Sequence, residues 1–286
     1  PGTYQENVRI TKSVRLVGSS QELVRIQLIE HGGVTLDIQA DRPIQVYLAD
    51  ITLENKGFLN STGIRFTGDS YAIIERLTVT GYENGIRIRN LSSVLSAVTA
   101  SRNVTGIIVE RGTVLIRDSI ITDNREGIAA WLVSREGQDY LTVERSLLSG
   151  NVGIALLLIG GIFGGPAATL AENRIVKNLG GVYLGYDRDY NWTQLLFTRF
   201  RQPEPGPRVI TVYKNQIMEN LIYGLALVDR EKCPEIKEIR GDPGLLLLQV
   251  SPGGTAFIGM ENEIRANGKA DLCPPDYPWP PGFRKP

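Results

Sequence analysis

The feature that most constrains this chain is a phrase that returns in register. Aligned on their final Asn, Arg117-Asp-Ser-Ile-Ile-Thr-Asp-Asn124, Glu144-Arg-Ser-Leu-Leu-Ser-Gly-Asn151, Ala171-Glu-Asn-Arg-Ile-Val-Lys-Asn178, Tyr213-Lys-Asn-Gln-Ile-Met-Glu-Asn220 and Met260-Glu-Asn-Glu-Ile-Arg-Ala-Asn267 are copies. Each has a small polar residue five before the final Asn (Ser119, Ser146, Asn173, Asn215, Asn262). Each also has an aliphatic residue three before it (Ile121, Leu148, Ile175, Ile217, Ile264). Gly-aliphatic pairs open new strands at Gly63, Gly85, Gly106, Gly127, Gly153, Gly181 and Gly224, in steps of 22, 21, 21, 26, 28 and 43 residues. A unit this short cannot bury its apolar face alone and must stack on its neighbours, which makes the chain a solenoid.

The strand pattern says which kind. In Gly85-Ile-Arg-Ile-Arg-Asn90, Ile86 and Ile88 alternate with Arg87 and Arg89, so one face is dry and the other wet. Val114/Ile116, Leu141/Val143 and Ile210/Val212 repeat the alternation, and helical spacing is almost absent. This predicts an all-β fold of stacked parallel strands. The turn Asn residues would form a ladder and take up left-handed backbone, and the Ser/Asn positions would form a second ladder. Ile128, Ile154, Val182 and Leu225 are expected in one interior column.

Lys plus Arg and Asp plus Glu are both 31, so no net charge points to nucleic acid or a membrane surface. Residues 152–171 carry no charge over a length that could span a bilayer. The repeat register runs through the segment, and Gly160, Gly161, Gly164, Gly165 and Pro166 break a helix. It reads instead as a buried strand, Ile154 to Ile159, followed by a Gly-rich apolar loop. The single His31 at a Gly-Gly turn has no companion for a metal site. The two cysteines, Cys233 and Cys273, suit one disulfide in an exported chain, with a location outside the cell, on its surface or in a periplasm.

The opening, Pro1-Gly-Thr-Tyr-Gln-Glu-Asn-Val-Arg-Ile-Thr-Lys-Ser-Val-Arg-Leu-Val-Gly18, resembles the first coil of pectin methylesterases and of other right-handed parallel β-helix proteins. In these a Gly-x-Tyr turn, a Glu-x-Val-x-Ile strand and a Val-x-Leu-x-Gly strand follow in order. The resemblance implies a single-stranded right-handed parallel β-helix of about ten coils, belonging to the pectate-lyase-like superfamily. Residues 1–272 would form it, with loop inserts near 186–207 and 229–254. Residues 273–286, rich in proline, would leave it as an extended arm that packs along its own barrel or reaches another molecule. In the family an earlier strand and a capping helix come before the Gly-x-Tyr, so the first coil is expected to be uncovered.

The chemistry of the related enzymes does not follow from the fold. Polygalacturonases use Gly-His-Gly, whereas His31 follows Glu30 and precedes Gly32. The pectin methylesterase segments Asp-Phe-Ile-Phe-Gly and Gly-Arg-Pro-Trp are missing. Arg201-Gln-Pro-Glu-Pro-Gly-Pro-Arg208 has the wrong spacing for the pectate-lyase Arg-x-Pro-x-x-Arg.

The connections that lengthen all lie at one turn: Arg111-Gly112, then 134–139, 160–166, 186–207 and 229–254. Inserts on one edge of a repeat protein mark a working surface, or else shield the end of the stack. They hold the candidate ligand-binding residues Tyr186, Tyr190, Trp192, Arg199, Arg201, Asp229 and Arg230, a set suited to stacking sugar rings and bonding hydroxyls. The leading expectation is a non-catalytic exported protein for binding or assembly, whose partner is a polysaccharide or another copy of itself, with no cofactor.

A polysaccharide lyase or hydrolase acting on acidic glycans is the alternative. There Asp187 and Asp189 would serve as acid/base or calcium ligands, and Arg188 would pair a substrate carboxylate. Assembly would run head to tail through Ile162, Phe163, Tyr277, Trp279 and Phe283.

Overall fold

The computed structural model describes residues 1–89, 92–132, 139–160, 167–186, 208–227, 233, 255–277, 279 and 283. The chain winds as a right-handed parallel β-helix of three sheets, and every strand pairing is parallel. Sheet A is built from strands such as Asn84–Arg89, Thr105–Glu110, Glu126–Leu132, Ile154–Gly160 and Gly180–Tyr186. Sheet B includes Thr113–Arg117, Tyr140–Glu144 and Thr255–Met260. Sheet C includes Ile120–Thr122, Leu147–Ser149 and Arg174–Val176. Each coil runs A, B, C. The strands Val34–Glu54 and Thr62–Thr80 bend through all three sheets without a break.

Alternation fills the interior. Leu36, Ile64, Ile86, Ile107, Ile128, Leu156, Val182 and Leu225 form one column on sheet A, all fully buried. Each such side chain contributes about 1.5–3 kcal/mol by leaving water. The expected member Ile154 is not in it, because Ile128 pairs with Leu156 and Ile154 with Gly180. Four residues separate Asn124 from Ile128, whereas five separate Asn151 from Leu156. That extra residue at the corner sends Ile154 to the outer side of the sheet, where it is buried in a second apolar cluster.

Both ladders form. At the corner from sheet C to sheet A, the side-chain amides of Asn103, Asn124, Asn151, Asn178 and Asn220 each donate to the Oδ1 of the next ladder Asn. These bonds are 3.0, 3.1, 2.8, 3.0 and 3.0 Å, ending on Asn267. At the corner from B to C, Val98 N–H donates to Ser119 Oγ, Ser119 N–H to Ser146 Oγ, and Ser146 N–H to Asn173 Oδ1 at 3.0–3.2 Å. Asn173, Asn215 and Asn262 continue the series.

The ladder Asn residues are not the left-handed ones. That conformation falls one residue earlier, at Arg102, Asp123, Gly150, Lys177, Glu219 and Ala266 on one corner and at Asp118, Arg145, Glu172, Lys214 and Glu261 on the other. A ladder side chain must point inward, so the backbone turns before it. On the second corner the left-handed residues alternate in charge and pair between coils. Arg145 Nε donates to Asp118 Oδ1 at 2.8 Å, and Arg76 grips Asp50 in the same way at 2.8 Å. These hydrogen bonds hold the carboxyls of Asp118 and Asp50 below the ordinary carboxylate range.

The described aromatics of the proline-rich segment lie against the barrel. Trp279 and Phe283 are 5% and 2% exposed and belong to the main core cluster, with Tyr277 packed against it. Trp279 Nε1 donates to the Pro274 carbonyl at 2.8 Å, and the three rings follow one another at 4.9 and 6.0 Å. A Cβ on Gly259, in the last strand of sheet B, would overlap the Phe283 ring, so the glycine makes the space the ring fills.

Candidate functional site

The outer face of sheet A divides into two halves. Arg9, Asp37, Arg65 and Arg87 stack on successive rungs, and the same column continues as Ile108, Ala129, Leu157, Tyr183, Ala226 and Cys273. Beside it run Arg89, Glu110, Trp131 and Ile159. The first half is charged and wet. In the second half Leu157, Ile159, Tyr183 and Ala226 are buried although they point away from the barrel core.

The charged half is a network centred on two carboxylates. Arg65 closes a fork on Asp37, with Nε to Oδ1 at 2.9 Å and Nη2 to Oδ2 at 2.7 Å, and that hydrogen bonding raises the Arg65 pKa further. Gln39 donates to the same carboxylate at 2.6 Å and accepts from Arg9. One rung set further on, Glu110 lies between two arginines, 2.7 Å from Arg87 Nη2 and 3.2 Å from Arg89 Nε. The Arg89 side chain is 55% exposed against 22% for Glu110, so solvent meets guanidinium before it meets carboxylate. Four arginines against two acids give this half a net charge of +2, although the whole chain is neutral. Trp131 follows Glu110 in register and is partly buried against the apolar half, placing an aromatic ring at the border.

The disulfide lies on the apolar half. Cys233 and Cys273 are bonded as expected, with Cα atoms 6.0 Å apart, and both are buried. Cys273 ends the column, so the bond fastens residue 233, six residues past Leu227 at the end of its sheet A strand, onto this face.

The expected loop residues Asp187, Arg188, Asp189, Tyr190, Trp192, Arg199, Arg201, Asp229 and Arg230 lie outside the described residues, as do Ile162 and Phe163. Tyr186 ends its sheet A strand, with its backbone paired to Gly160. Of the two places open to the tail aromatics, another molecule or this chain's own barrel, Trp279, Phe283 and Tyr277 are packed on the barrel's core. Among the described residues no cluster of three or more His, Cys, Asp or Glu could hold a metal, and no helix is long and apolar enough to cross a membrane. His31 Nδ1 accepts from Leu59 N–H at 3.0 Å, a local turn contact. Sequence reasoning identified Arg87 and Arg89 as outward but missed Glu110 and Trp131. Their place beside Arg89 follows only from the register, by stepping 21 residues at a time along the Gly-aliphatic strands.

Comparison with known proteins adds the family. The model described as "Right handed beta helix region" matches residues 26–195 and 62–238. Among solved structures the chain is similar to the A-module of the Azotobacter vinelandii mannuronan C-5 epimerase AlgE4, at 14% identity over 95% of this chain and 86% of that one, with a TM-score of 0.47. The A-module of AlgE6 from the same organism gives 13%, 95%, 87% and 0.48. Pectate lyase Pel9A gives 14%, 94%, 71% and 0.37. No curated protein matches.

Proposed function

We propose, from the premise that this chain belongs to the right-handed β-helix family, that it is an exported, non-catalytic protein that holds an acidic polysaccharide along the outer face of sheet A. The observation that carries this reading is the cationic ladder Arg9, Arg65, Arg87 and Arg89, ending at Trp131. Coils repeat at about 4.8 Å, so Arg9, Arg65 and Arg87 lie on one line, with Asp37 between the first two and Arg89 beside Arg87 on the same strand, and a linear polyanion can run along it. A guanidinium presents a planar fork that matches a carboxylate, and an indole at the end of the track offers a sugar ring an apolar plane. Asp37 and Glu110 keep the arginines extended and in place, which lowers the entropy lost on binding. Export is supported by the buried disulfide.

The test is titration calorimetry with polyuronates of defined length and a neutral glycan as control. Uronate binding should weaken with salt and fall at least tenfold when Arg87 and Arg89 are both replaced by Ala. Equal affinity for the neutral glycan, or an unchanged affinity in the double variant, refutes the reading.

A lyase or hydrolase is favoured by one observation. The strand Gly180–Tyr186 ends on sheet A where the segment holding Asp187, Arg188 and Asp189 begins. Turnover of a uronate polymer, with calcium as the metal to supply, that is lost in Asp187→Ala and Asp189→Ala would select this reading over simple binding.

A further inference from the structure

We propose that the corner between sheets C and A is the seat of a side-by-side, antiparallel dimer of this chain. Each ladder Asn is followed by an outward residue, giving the column Val104, Arg125, Val152, Leu179 and Leu221. Backbone bonds keep it straight: Arg125 N–H to Asn103 O at 3.0 Å, Val152 to Asn124 at 2.9 Å, Leu179 to Asn151 at 3.1 Å and Leu221 to Asn178 at 2.9 Å. Val152 is 71% exposed, Leu221 68% and Val104 43%. Four of the five are aliphatic, with Arg125 among them and Leu179 partly packed against the second apolar cluster, and such an exposed edge is the kind of surface that a partner covers.

Apolar exposure alone names no partner, but the charges beside it do. Two positions earlier on each rung stand the left-handed residues Arg102, Asp123, Gly150, Lys177 and Glu219, all but Gly150 exposed. Their charges read plus, minus, zero, plus, minus, and reversing the order inverts every sign. A two-fold axis through the rung of Gly150 and Val152 therefore sets Arg102 against Glu219 of the partner subunit and Asp123 against Lys177 of the partner subunit. Val152 then meets its own copy, and Val104 meets Leu221 of the partner subunit. A parallel neighbour in the same register would place like on like. The charged column complements itself in one orientation, as an isologous interface requires, while beside it Arg125 lies over Leu179 of the partner subunit.

Five rungs at about 4.8 Å make a strip of about 19 Å. A contact of this length falls at the small end of specific interfaces, below about 1,200 Å², so the dimer is reversible and depends on concentration and salt. An isologous contact closes at two copies. The capped C-terminal end, with Trp279 and Phe283 already buried in their own core, is consistent with association through the side of the barrel.

Sedimentation equilibrium of the full chain across protein concentration and salt tests this. A monomer–dimer equilibrium that weakens with salt is expected. Asp123→Lys should abolish the dimer, and adding Lys177→Asp should restore it. Both residue types already occupy this backbone conformation at Asp118 and Lys214, so the fold should tolerate the exchange. Val152→Glu, which sets two carboxylates together at the axis, should also give a monomer. A wild type that stays monomeric, growth beyond two copies, an Asp123→Lys protein that still dimerises, or an exchange that fails to restore the dimer would each overturn the proposal.

Discussion

Replacing Asn178 by Ala tests whether the inner ladder holds the coils together or only decorates them. Asn178 is 1% exposed and makes five side-chain bonds. Its Oδ1 accepts from Asn151 N–H at 3.0 Å and Asn151 Nδ2 at 2.8 Å, and its Nδ2 donates to Leu148 O, Val176 O and Asn220 Oδ1 at 3.0–3.1 Å. Truncation does not orphan all these partners equally. Asn151 Nδ2 keeps Ile121 O, and Asn220 Oδ1 keeps the Asn178 backbone N–H. The Asn151 backbone N–H loses its acceptor in a dry interior, a cost of about 1–3 kcal/mol. The remaining losses add about 0.5–1.5 kcal/mol each and are not fully additive, so about 3–5 kcal/mol in total is expected.

Ser at the same position should recover the acceptor, as Ser146 Oγ does for Ser119 N–H at 3.2 Å, and cost about 1–2 kcal/mol. Asn267→Ala, at a half-buried rung where water can replace the lost bonds, should cost less than Asn178→Ala. Urea unfolding with fluorescence and circular dichroism read together gives the three values, and amide exchange at Asn151 reports the orphan directly. Ala and Ser variants of equal stability, or an Asn178→Ala cost within the roughly 0.5 kcal/mol of an ordinary surface change, would refute the reasoning.

Gly259→Ala forces a methyl into the Phe283 ring and should cost about 1–3 kcal/mol, while Phe283→Ala should cost about 3–5 kcal/mol. Together they should cost less than their sum, because the clash has gone; additive values from urea unfolding would contradict the cap. Replacing both cysteines by Ser removes a bond closing a 40-residue separation and should lower stability by about 4 kcal/mol, measured as a shifted urea midpoint; an unmoved midpoint would contradict it. Tyr82→Phe strips the 2.8 Å partner from Thr35, itself fully buried, and should cost about 1–3 kcal/mol. Burial raises the Tyr82 phenol above its ordinary value, so the folded chain holds this proton longer than the unfolded one and the wild type should lose stability as pH rises past about 10. The Phe variant should show a shallower fall in thermal melts as pH rises from about 10 to about 11.

The ladders and the interior column were legible because both obey the period, and stacking turns a period in sequence into a line in space. Corner geometry was not. The repeating Asn drew attention to itself, yet the left-handed residue is whatever precedes it, and Arg102, Asp123, Lys177 and Glu219 share no chemistry that would single them out. Ile154 misled for a related reason. Gly153-Ile154 has the right letters two residues too early, and Ala155 takes the slot that Gly127 and Gly181 hold in the neighbouring coils. A motif fixes residue types, while register is set by the number of residues between corners.

Sites on a solenoid are illegible in a sharper way, because neighbours in a site lie a full coil apart in sequence. Arg89, Glu110 and Trp131 are separated by 21 residues each, and no local window holds two of them. The charged cluster 187–189 was conspicuous because it is local. The tail stays open in the sequence between its own barrel and another molecule, since proline content describes how a chain travels and says nothing of what it meets. What it meets could have been read from the last coil. Gly259 pairs with the inward Val212 on the strand Thr255–Met260, so that position carries no side chain at all. The Phe283 ring fills the space beside Gly259 and joins the main core cluster. The cap and the glycine are therefore one feature, and neither can change without the other.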